Sequence, residues 1–243
     1  MLNKPHYRLA DKFKFACHRG LACFNTCCQD ISIYLTPYDV LRLKNSLNIS
    51  SAEFLAAHTH ILDHSGQSFP VVMLKMNQGD KRCPFVTPQG CKVYCNRPWS
   101  CRIAPVDILD DNSYSFCFDS SRCHGLNEQQ EWTVQQWADN QGVDLEQKLE
   151  RKFKDIPRNL KFTGFTSVDR HIKELFLLGC YNLDEFKRYV FESSFVKTFA
   201  VPAQKVAEIK ADEVALMQFA FDWLTSGVDV RKTIAIRNEV FKV

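Results

Sequence analysis

The sequence lacks long hydrophobic runs, and this absence already excludes one class of protein. The longest strongly apolar piece of the 243 residues spans residues 175–181, well short of the roughly 18 apolar residues that a membrane-spanning helix needs. The basic N-terminal residues are not followed by the apolar core and small-residue cleavage site of a secretory signal. We therefore expect a cytoplasmic protein with no membrane partner.

Glycine and net charge are also scarce. The chain has 9 glycines, and no G-x-G-x-x-G pattern follows a predicted strand, so a Rossmann-type cofactor site is not indicated. Its 31 basic and 28 acidic side chains leave a formal charge of +3 without a local basic stripe, so we expect no nucleic-acid partner. The composition, with 45% hydrophobic residues, is otherwise that of an ordinary globular protein.

Cysteine, in contrast, is abundant and unevenly distributed. Of the 11 cysteines, 10 precede residue 126, and Cys180, at the end of an apolar helix pattern, is most simply a small buried hydrophobe. In a reducing compartment such a cluster indicates metal ligation or redox chemistry. A secreted disulfide-linked domain is the alternative, but it would need a signal sequence and is usually a smaller chain with an even number of cysteines.

The cysteine spacing suits a metal without matching a common template. The first group reads C-x5-C-x3-C-C, the second reads C-x7-C-x3-C-x5-C, and a pair follows at Cys117 and Cys123. These spacings differ from those of zinc fingers and bacterial ferredoxins, although thiolates suit both zinc and iron–sulfur clusters. Four thiolates complete one centre, so the ten thiols allow one or two. The adjacent side chains of Cys27 and Cys28 are expected to point apart and can serve different centres.

Several other residues accompany the cysteines in a recognisable order. The full set comprises Cys17, Cys23-Phe-Asn-Thr-Cys27-Cys28, Leu35-Thr-Pro-Tyr-Asp39, Cys83-Pro-Phe85, Gly90-Cys91-Lys-Val-Tyr94, Arg97-Pro98, Cys101-Arg102, Cys117, Cys123, Trp132-Thr133-Val134, Trp137 and Phe191-Glu-Ser-Ser-Phe195. In these residues the chain resembles the YkgJ-type cysteine-cluster family, which is described as zinc- or iron-chelating and is often called iron–sulfur-cluster-containing. The resemblance covers most of the chain.

Spacing and resemblance together predict nine metal ligands: Cys17, Cys23, Cys27, Cys28, Cys83, Cys91, Cys101, Cys117 and Cys123. Cys95 stands where the family often has an acidic or polar residue, and His124 stands where proline commonly follows the last cysteine. Whether Cys95, His18 or His124 adds a ligand is left open. Some relatives are flagellin lysine N-methylases that use S-adenosylmethionine, so a protein methyltransferase and a redox protein both remain candidate activities.

Hydrophobic periodicity predicts strands in the first half and mainly helices in the second. Residues 31–35 and 71–76 have the pattern of strands, while Thr36-Pro37 and the Ser50/Glu53 capping box each open a helix. From Thr133 onward, a helical run with Leu145 and Ile156 on its apolar face ends at Pro157. Three further amphipathic stripes follow, Val168 to Phe176, Phe186 to Phe199 and Val206 to Trp223.

We therefore predict an α+β, predominantly α-helical fold. Residues 1–125 form a cysteine-rich region with short strands that binds metal or an iron–sulfur cluster, and residues 126–243 form a helical region packed on it as one compact unit. The predicted function is metal binding at one or two cysteine-ligated centres, iron–sulfur first and zinc otherwise. The alternatives are an S-adenosylmethionine-dependent protein lysine N-methylase and a zinc-stabilised, non-catalytic interaction module. An unidentified protein partner or substrate is compatible with each.

Overall fold

The fold was analysed in a computed structural model, which describes residues 6–63, 68–110, 113–199 and 201–226. Within these residues, α-helices hold far more of the chain than strands do, and every strand has five residues or fewer. The prediction of an α+β, predominantly helical fold is therefore confirmed at this level.

The helices and strands of the described residues are short on average. The α-helices are Pro37–Leu47 (α1), Ser51–His58 (α2), Trp99–Ile103 (α3), Val134–Gln141 (α4), Val143–Glu150 (α5), Ile156–Asn159 (α6), Thr166–Cys180 (α7), Leu183–Glu192 (α8), Phe195–Thr198 (α9), Ala203–Ala211 (α10) and Glu213–Thr225 (α11). The strands are Lys12–Lys14 (β1), Thr59–Leu62 (β2), Val71–Leu74 (β3), Val86–Thr87 (β4), Gly90–Cys91 (β5), Val106–Asp110 (β6), Ser113–Phe116 (β7) and Glu131–Thr133 (β8).

The chain divides into two compact units, each built from two stretches of sequence. Unit 1 consists of Met1–Tyr34 and Leu74–Gln147, and unit 2 consists of Leu35–Met73 and Lys148–Val243. The boundary predicted after residue 125 falls inside the second stretch of unit 1. The predicted packing of residues 126–243 on the cysteine-rich region stays a prediction.

Unit 1 is framed by two-stranded sheets. Strand β1 pairs antiparallel with β8. The segment that precedes Cys17 therefore lies beside the segment that follows Cys123. Strands β6 and β7 form a second antiparallel pair, and β4 and β5 form a third. Because β1 and β8 are far apart in sequence, their pairing brings together the two ends of the stretch that contains the cysteines.

The core of unit 1 lies beside the β1–β8 pair. Phe13, Phe15 and Val106 are buried there, and Trp132 and Trp137 pack against them. Each tryptophan is also tied to the backbone: the Trp132 Nε1–H donates to the Phe15 carbonyl at 2.9 Å and the Trp137 Nε1–H to that of Ile103 at 2.8 Å. Burial with a satisfied ring N–H is the usual state of tryptophan in a core.

Unit 2 is helical and has a large aromatic core. Phe54, Phe176, Phe186 and Phe221 are fully buried in it. The central helix, α11, buries eight of its thirteen residues. Aromatic side chains that lose all of their exposed surface contribute strongly to stability.

The predicted apolar stripes of unit 2 contain buried residues as expected, but they are interrupted or shortened in places. Ile172 and Phe176 of α7 are buried as predicted, but Val168 is 44% exposed near the start of the helix. The stripe from Val206 to Trp223 is not one helix, because Asp212 separates α10 from α11. Its Oδ1 accepts a hydrogen bond from the Val214 N–H at 2.8 Å and so caps α11.

The predicted N-cap at Thr36 and the predicted capping box at Ser50 and Glu53 are confirmed, and Thr36 also forms a capping box with Asp39. The hydroxyl of Thr36 accepts from the Asp39 N–H at the start of α1, and that of Ser50 accepts from the Glu53 N–H at the start of α2. Residues 31–35 do not form the regular strand that their alternation predicts. They pair with β3 only locally, through the Leu35 N–H to the Val72 carbonyl and the Leu74 N–H to the Ile33 carbonyl.

Pro157 and Leu145 are further corrections. Pro157 does not end a helix but stands in the first turn of α6, where its missing N–H costs nothing. Leu145 is 59% exposed rather than part of an apolar face. The continuous run predicted from Val134 to Ile156 is broken by Gly142, whose φ of 70° ends α4.

Within the described ranges, none of the helices combines the length and the hydrophobicity needed to cross a bilayer.

Candidate metal centre

The first cysteine of unit 1 is placed by the strand that precedes it. Residue Ala16 follows the buried Phe15, and its N–H donates to the Gly125 carbonyl at 3.1 Å, which brings Cys17 beside the segment that carries Cys123. At Gly125 a Cβ atom would stand 2.7 Å from the Ala16 carbonyl oxygen and 2.8 Å from a ring carbon of Phe15. Glycine is therefore required for this close approach of two backbones.

The next three cysteines lie in a tight sequence of turns. The Thr26 N–H donates to the Cys23 carbonyl at 2.9 Å, and a 3-10 helix, Thr26–Cys28, carries Cys27 and Cys28. The N-cap of this helix is Asn25, with a φ of 68°, a conformation that asparagine tolerates better than most residues. Its amide donates to the Thr87 carbonyl at 2.8 Å, which fixes the turn against β4.

Backbone hydrogen bonds join these turns to the later cysteines. The His124 N–H donates to the Cys23 sulfur at 3.3 Å, and the Cys83 N–H donates to the Cys28 carbonyl at 2.8 Å. The β4–β5 pair then sets Cys91 opposite Val86. Cysteines that are widely separated in sequence thus meet in one part of unit 1.

The electrostatic contacts divide eight of these thiols into two groups. We define the first thiol set as Cys17, Cys23, Cys27 and Cys123. Burial raises the pKa of Cys17 to about 11, with further contributions from the neighbouring Cys27, Cys123 and Cys23. Burial likewise raises the pKa of Cys123, and Cys23 and Cys27 add to the shift. Cys17 and Cys123 therefore both lie near Cys23 and Cys27.

The second thiol set consists of Cys28, Cys83, Cys91 and Cys101. Burial raises the pKa of Cys83, and the neighbouring Cys91 raises it further. The pKa of Cys28 is raised well above its usual range, first by its hydrogen bond to Cys27, then by burial and by the charges of Cys27, Cys83 and Cys101.

Cys27 and Cys28 lie where the two sets meet. The interaction with the Cys28 thiol and the charge of Arg122 outweigh burial and together lower the pKa of Cys27 to about 7. That Cys27 and Cys28 serve different centres stays a prediction. Stabilised thiolate is the form in which cysteine binds a metal.

Basic side chains near the thiols also favour ionisation. Lys92 lowers the pKa of Cys83, and Arg97 lowers that of Cys91, although burial outweighs both effects. From the sequence alone we assigned no such role to Lys92 or Arg122. Arg122 directly precedes Cys123 and Lys92 directly follows Cys91, so adjacency to a cysteine was the available signal.

Arg102 instead holds the second cysteine loop to the helices that follow it. Its Nε lies 2.7 Å from the Glu146 Oε1 in a largely buried ion pair. Its guanidinium also donates to the carbonyls of Cys95 and, at 3.0 Å, Gln141. This side chain therefore orients the segment between Cys95 and Cys101.

The remaining candidate ligands have other contacts. The Cys117 thiol lies 3.4 Å from the Val106 carbonyl, and Cys95 is exposed in the 3-10 helix Tyr94–Asn96. The His18 ring accepts from the Gly20 N–H at 3.2 Å and faces Glu128 at 3.7 Å. His124 contributes its backbone N–H to Cys23, as noted above. Cys180 is fully buried in unit 2, as predicted.

The residues fit a thiolate-bound metal in the chemistry of their side chains. All eleven cysteines, each within the described residues, are free thiols, so the structure contains no disulfide between them. Among those residues, no three Cys, His, Asp or Glu side chains are arranged to hold an ion as they stand. Cysteine has a single side-chain torsion with staggered alternatives, so the sulfur atoms can be redirected without moving the backbone.

Comparison with known families supports the same chemistry. Residues 16–124 match the model of the CxxCxxCC family, described as a "Putative zinc- or iron-chelating domain". The matched stretch is just under half of the chain and contains all ten cysteines of unit 1. The search of curated proteins found no match, and neither did the search of solved structures. The YkgJ name and the methylase relationship stay predictions.

Proposed function

We propose that unit 1 is a metal-binding module that holds its metal through cysteine thiolates. The observation that carries the proposal is the convergence of cysteines from residues 17–28, 83–101 and 123, which backbone hydrogen bonds bring together. The family match over residues 16–124 supports it independently. Our first assignment is an iron–sulfur centre and our second is zinc, since a thiolate donor set serves both.

The protein's own residues would prepare the thiolates for the metal. Each cysteine releases its proton on binding, so groups that stabilise thiolate favour occupancy. Arg122 near Cys27 and Lys92 near Cys83 act in this direction. An iron–sulfur centre would supply one-electron transfer, and zinc would supply a structural cross-link without redox activity.

The decisive measurement is the metal content of the full chain purified without oxygen. We expect iron with matching acid-labile sulfide and a brown protein with broad visible absorption. A colourless protein with stoichiometric zinc would select the structural site instead. The variant Cys83→Ala should bind less metal than the wild type, while Cys180→Ala, which changes a buried thiol of unit 2, should retain the wild-type content. A folded, metal-free protein with all its thiols reactive would refute the proposal.

A further inference from the structure

The division of the thiols into two sets bears on the number of centres. Four thiolates complete one tetrahedral zinc site or one four-iron cluster. The first thiol set and the second thiol set each contain four cysteines. We propose that unit 1 holds two separate four-thiolate centres, one per set, which meet at the Cys27–Cys28 peptide bond. This inference rests on the proposed function and adds the number of centres and the ligands of each.

The first centre is assembled from both ends of unit 1's cysteine-rich stretch. Cys17 is brought to Cys123 by the hydrogen bond from Ala16 to Gly125. Cys23 is brought to the same segment by the N–H of His124, which points at its sulfur. Cys27 follows Cys23 by one turn. These contacts place the four cysteines near the end of β1 and the segment that carries Cys123.

The second centre is assembled by different contacts. The Cys83 N–H bonds to the Cys28 carbonyl, and an isolated bridge between Gln29 and Arg82 continues this pairing. The β4–β5 pair returns the chain so that Cys91 comes near Cys83. Cys101 lies in α3, downstream of the β4–β5 pair, and we assign it as the fourth ligand of this centre. None of the contacts named here involves Cys17 or Cys123.

The two centres also differ in exposure. Cys17 and Cys27 of the first set are exposed residues, whereas all four cysteines of the second set are partly buried. The first centre therefore faces solvent more openly. A chelator or an oxidant should reach it first.

The test counts metal in variants of the full chain. Cys17→Ala and Cys91→Ala should each halve the metal per chain, because each removes one centre and spares the other. The double variant Cys17→Ala/Cys123→Ala should also keep half, and Cys17→Ala/Cys91→Ala should keep none. Cys95→Ala and Cys117→Ala are matched controls and should keep the full content, since four ligands already complete each centre.

A second measurement requires no substitution. Alkylation of the metal-loaded and metal-free wild-type chain, followed by mass spectrometry, reports which thiols the metal protects. We expect protection of the eight cysteines in the two sets, and labelling of Cys95 and Cys117 in both states. This readout stands even where a variant fails to fold.

The outcomes separate this inference from the proposed function. If the wild-type chain binds metal but single variants from either set remove all of it, the centre is shared and the division into two is wrong. The division is equally wrong if metal protects Cys95 or Cys117 in place of a member of a set. If the wild-type chain binds no metal, the proposed function itself fails.

Discussion

The two units of the molecule differ in how many apolar side chains they bury. Unit 2 has four fully buried phenylalanines and a central helix that is mostly buried. In unit 1, two of the three cysteine-bearing segments, residues 16–32 and 117–124, contain no buried residue, whereas residues 83–101 bury Phe85 and Val93. Small regions that cannot bury enough apolar surface are usually cross-linked by a metal or by disulfides. Unit 2 can therefore be stabilised by burial, whereas we expect the first and last cysteine segments of unit 1 to depend on a cross-link.

Removing the metal should produce the largest difference between the units. Chelation under reducing conditions should disorder the cysteine segments, because structural metal binding contributes on the order of 10 kcal/mol to folding. The helices of unit 2 should persist. Hydrogen exchange resolved along the chain measures both. Equal loss of protection in the two units would contradict the comparison.

Truncating a buried aromatic side chain of unit 2 should destabilise unit 2 and leave the cysteine segments of unit 1 unaffected. Phe176→Ala should destabilise unit 2 by about 3–5 kcal/mol, since it removes a fully buried ring and leaves a cavity. The metal content should not change. Val168→Ala, on the exposed side of the same helix, is the control and should alter the free energy of unfolding by less than about 0.5 kcal/mol. Urea unfolding and metal analysis test the pair.

A buried carboxyl should make unit 2 sensitive to pH. Burial raises the pKa of Glu150 from 4.5 to about 7, although its Oε1 accepts from the Tyr38 N–H at 2.8 Å. The folded state therefore binds this proton more tightly than the unfolded state does. The stabilisation is complete below pH 4.5 and is lost as the pH rises through about 7.

The variant Glu150→Gln removes this charge and keeps an acceptor oxygen. Above pH 7 the variant should be more stable than the wild type by roughly 3 kcal/mol. The difference should vanish as the pH falls to 4.5, the usual pKa of the carboxyl. Thermal unfolding of both proteins across this pH range measures the effect. A wild-type-like pH profile for Glu150→Gln would rule out this explanation.

Helix caps offer the smallest and most local comparison. Ser50 caps α2 in unit 2 and Thr133 caps α4 in unit 1, both through capping boxes. Replacing either by alanine should cost about 1 kcal/mol. Hydrogen exchange should show Ser50→Ala weakening only unit 2 and Thr133→Ala only unit 1. If each variant weakened both units equally, the units would unfold as one body.

Local signals in the sequence were read more accurately than tertiary ones. The caps at Thr36 and Ser50 depend on residues three positions apart, so the sequence was sufficient to predict them. Pro157 was misread because proline suits the start of a helix as well as the position after its end. The grouping of Cys28 with Cys83 depends on a backbone contact between distant segments. No spacing rule could have predicted that contact.

The need for Gly125 was missed for the same reason. Nothing in its neighbourhood in sequence shows that the Ala16 carbonyl lies against it, because that contact is set by the pairing of β1 with β8. Metal-ligating residue types could be predicted from the sequence, but their assignment to one centre or another depends on such long-range pairings.

The pairing of β1 with β8 also fixes the order of events during synthesis. Strand β1 ends at Lys14, but its partner begins only at Glu131. At the usual elongation rates the ribosome needs roughly 6–23 seconds to travel between them. For the later part of that interval the earliest thiols have left the ribosome while their later partners have not been translated. Oxidants met by the nascent chain therefore act on cysteines that no metal can yet shield.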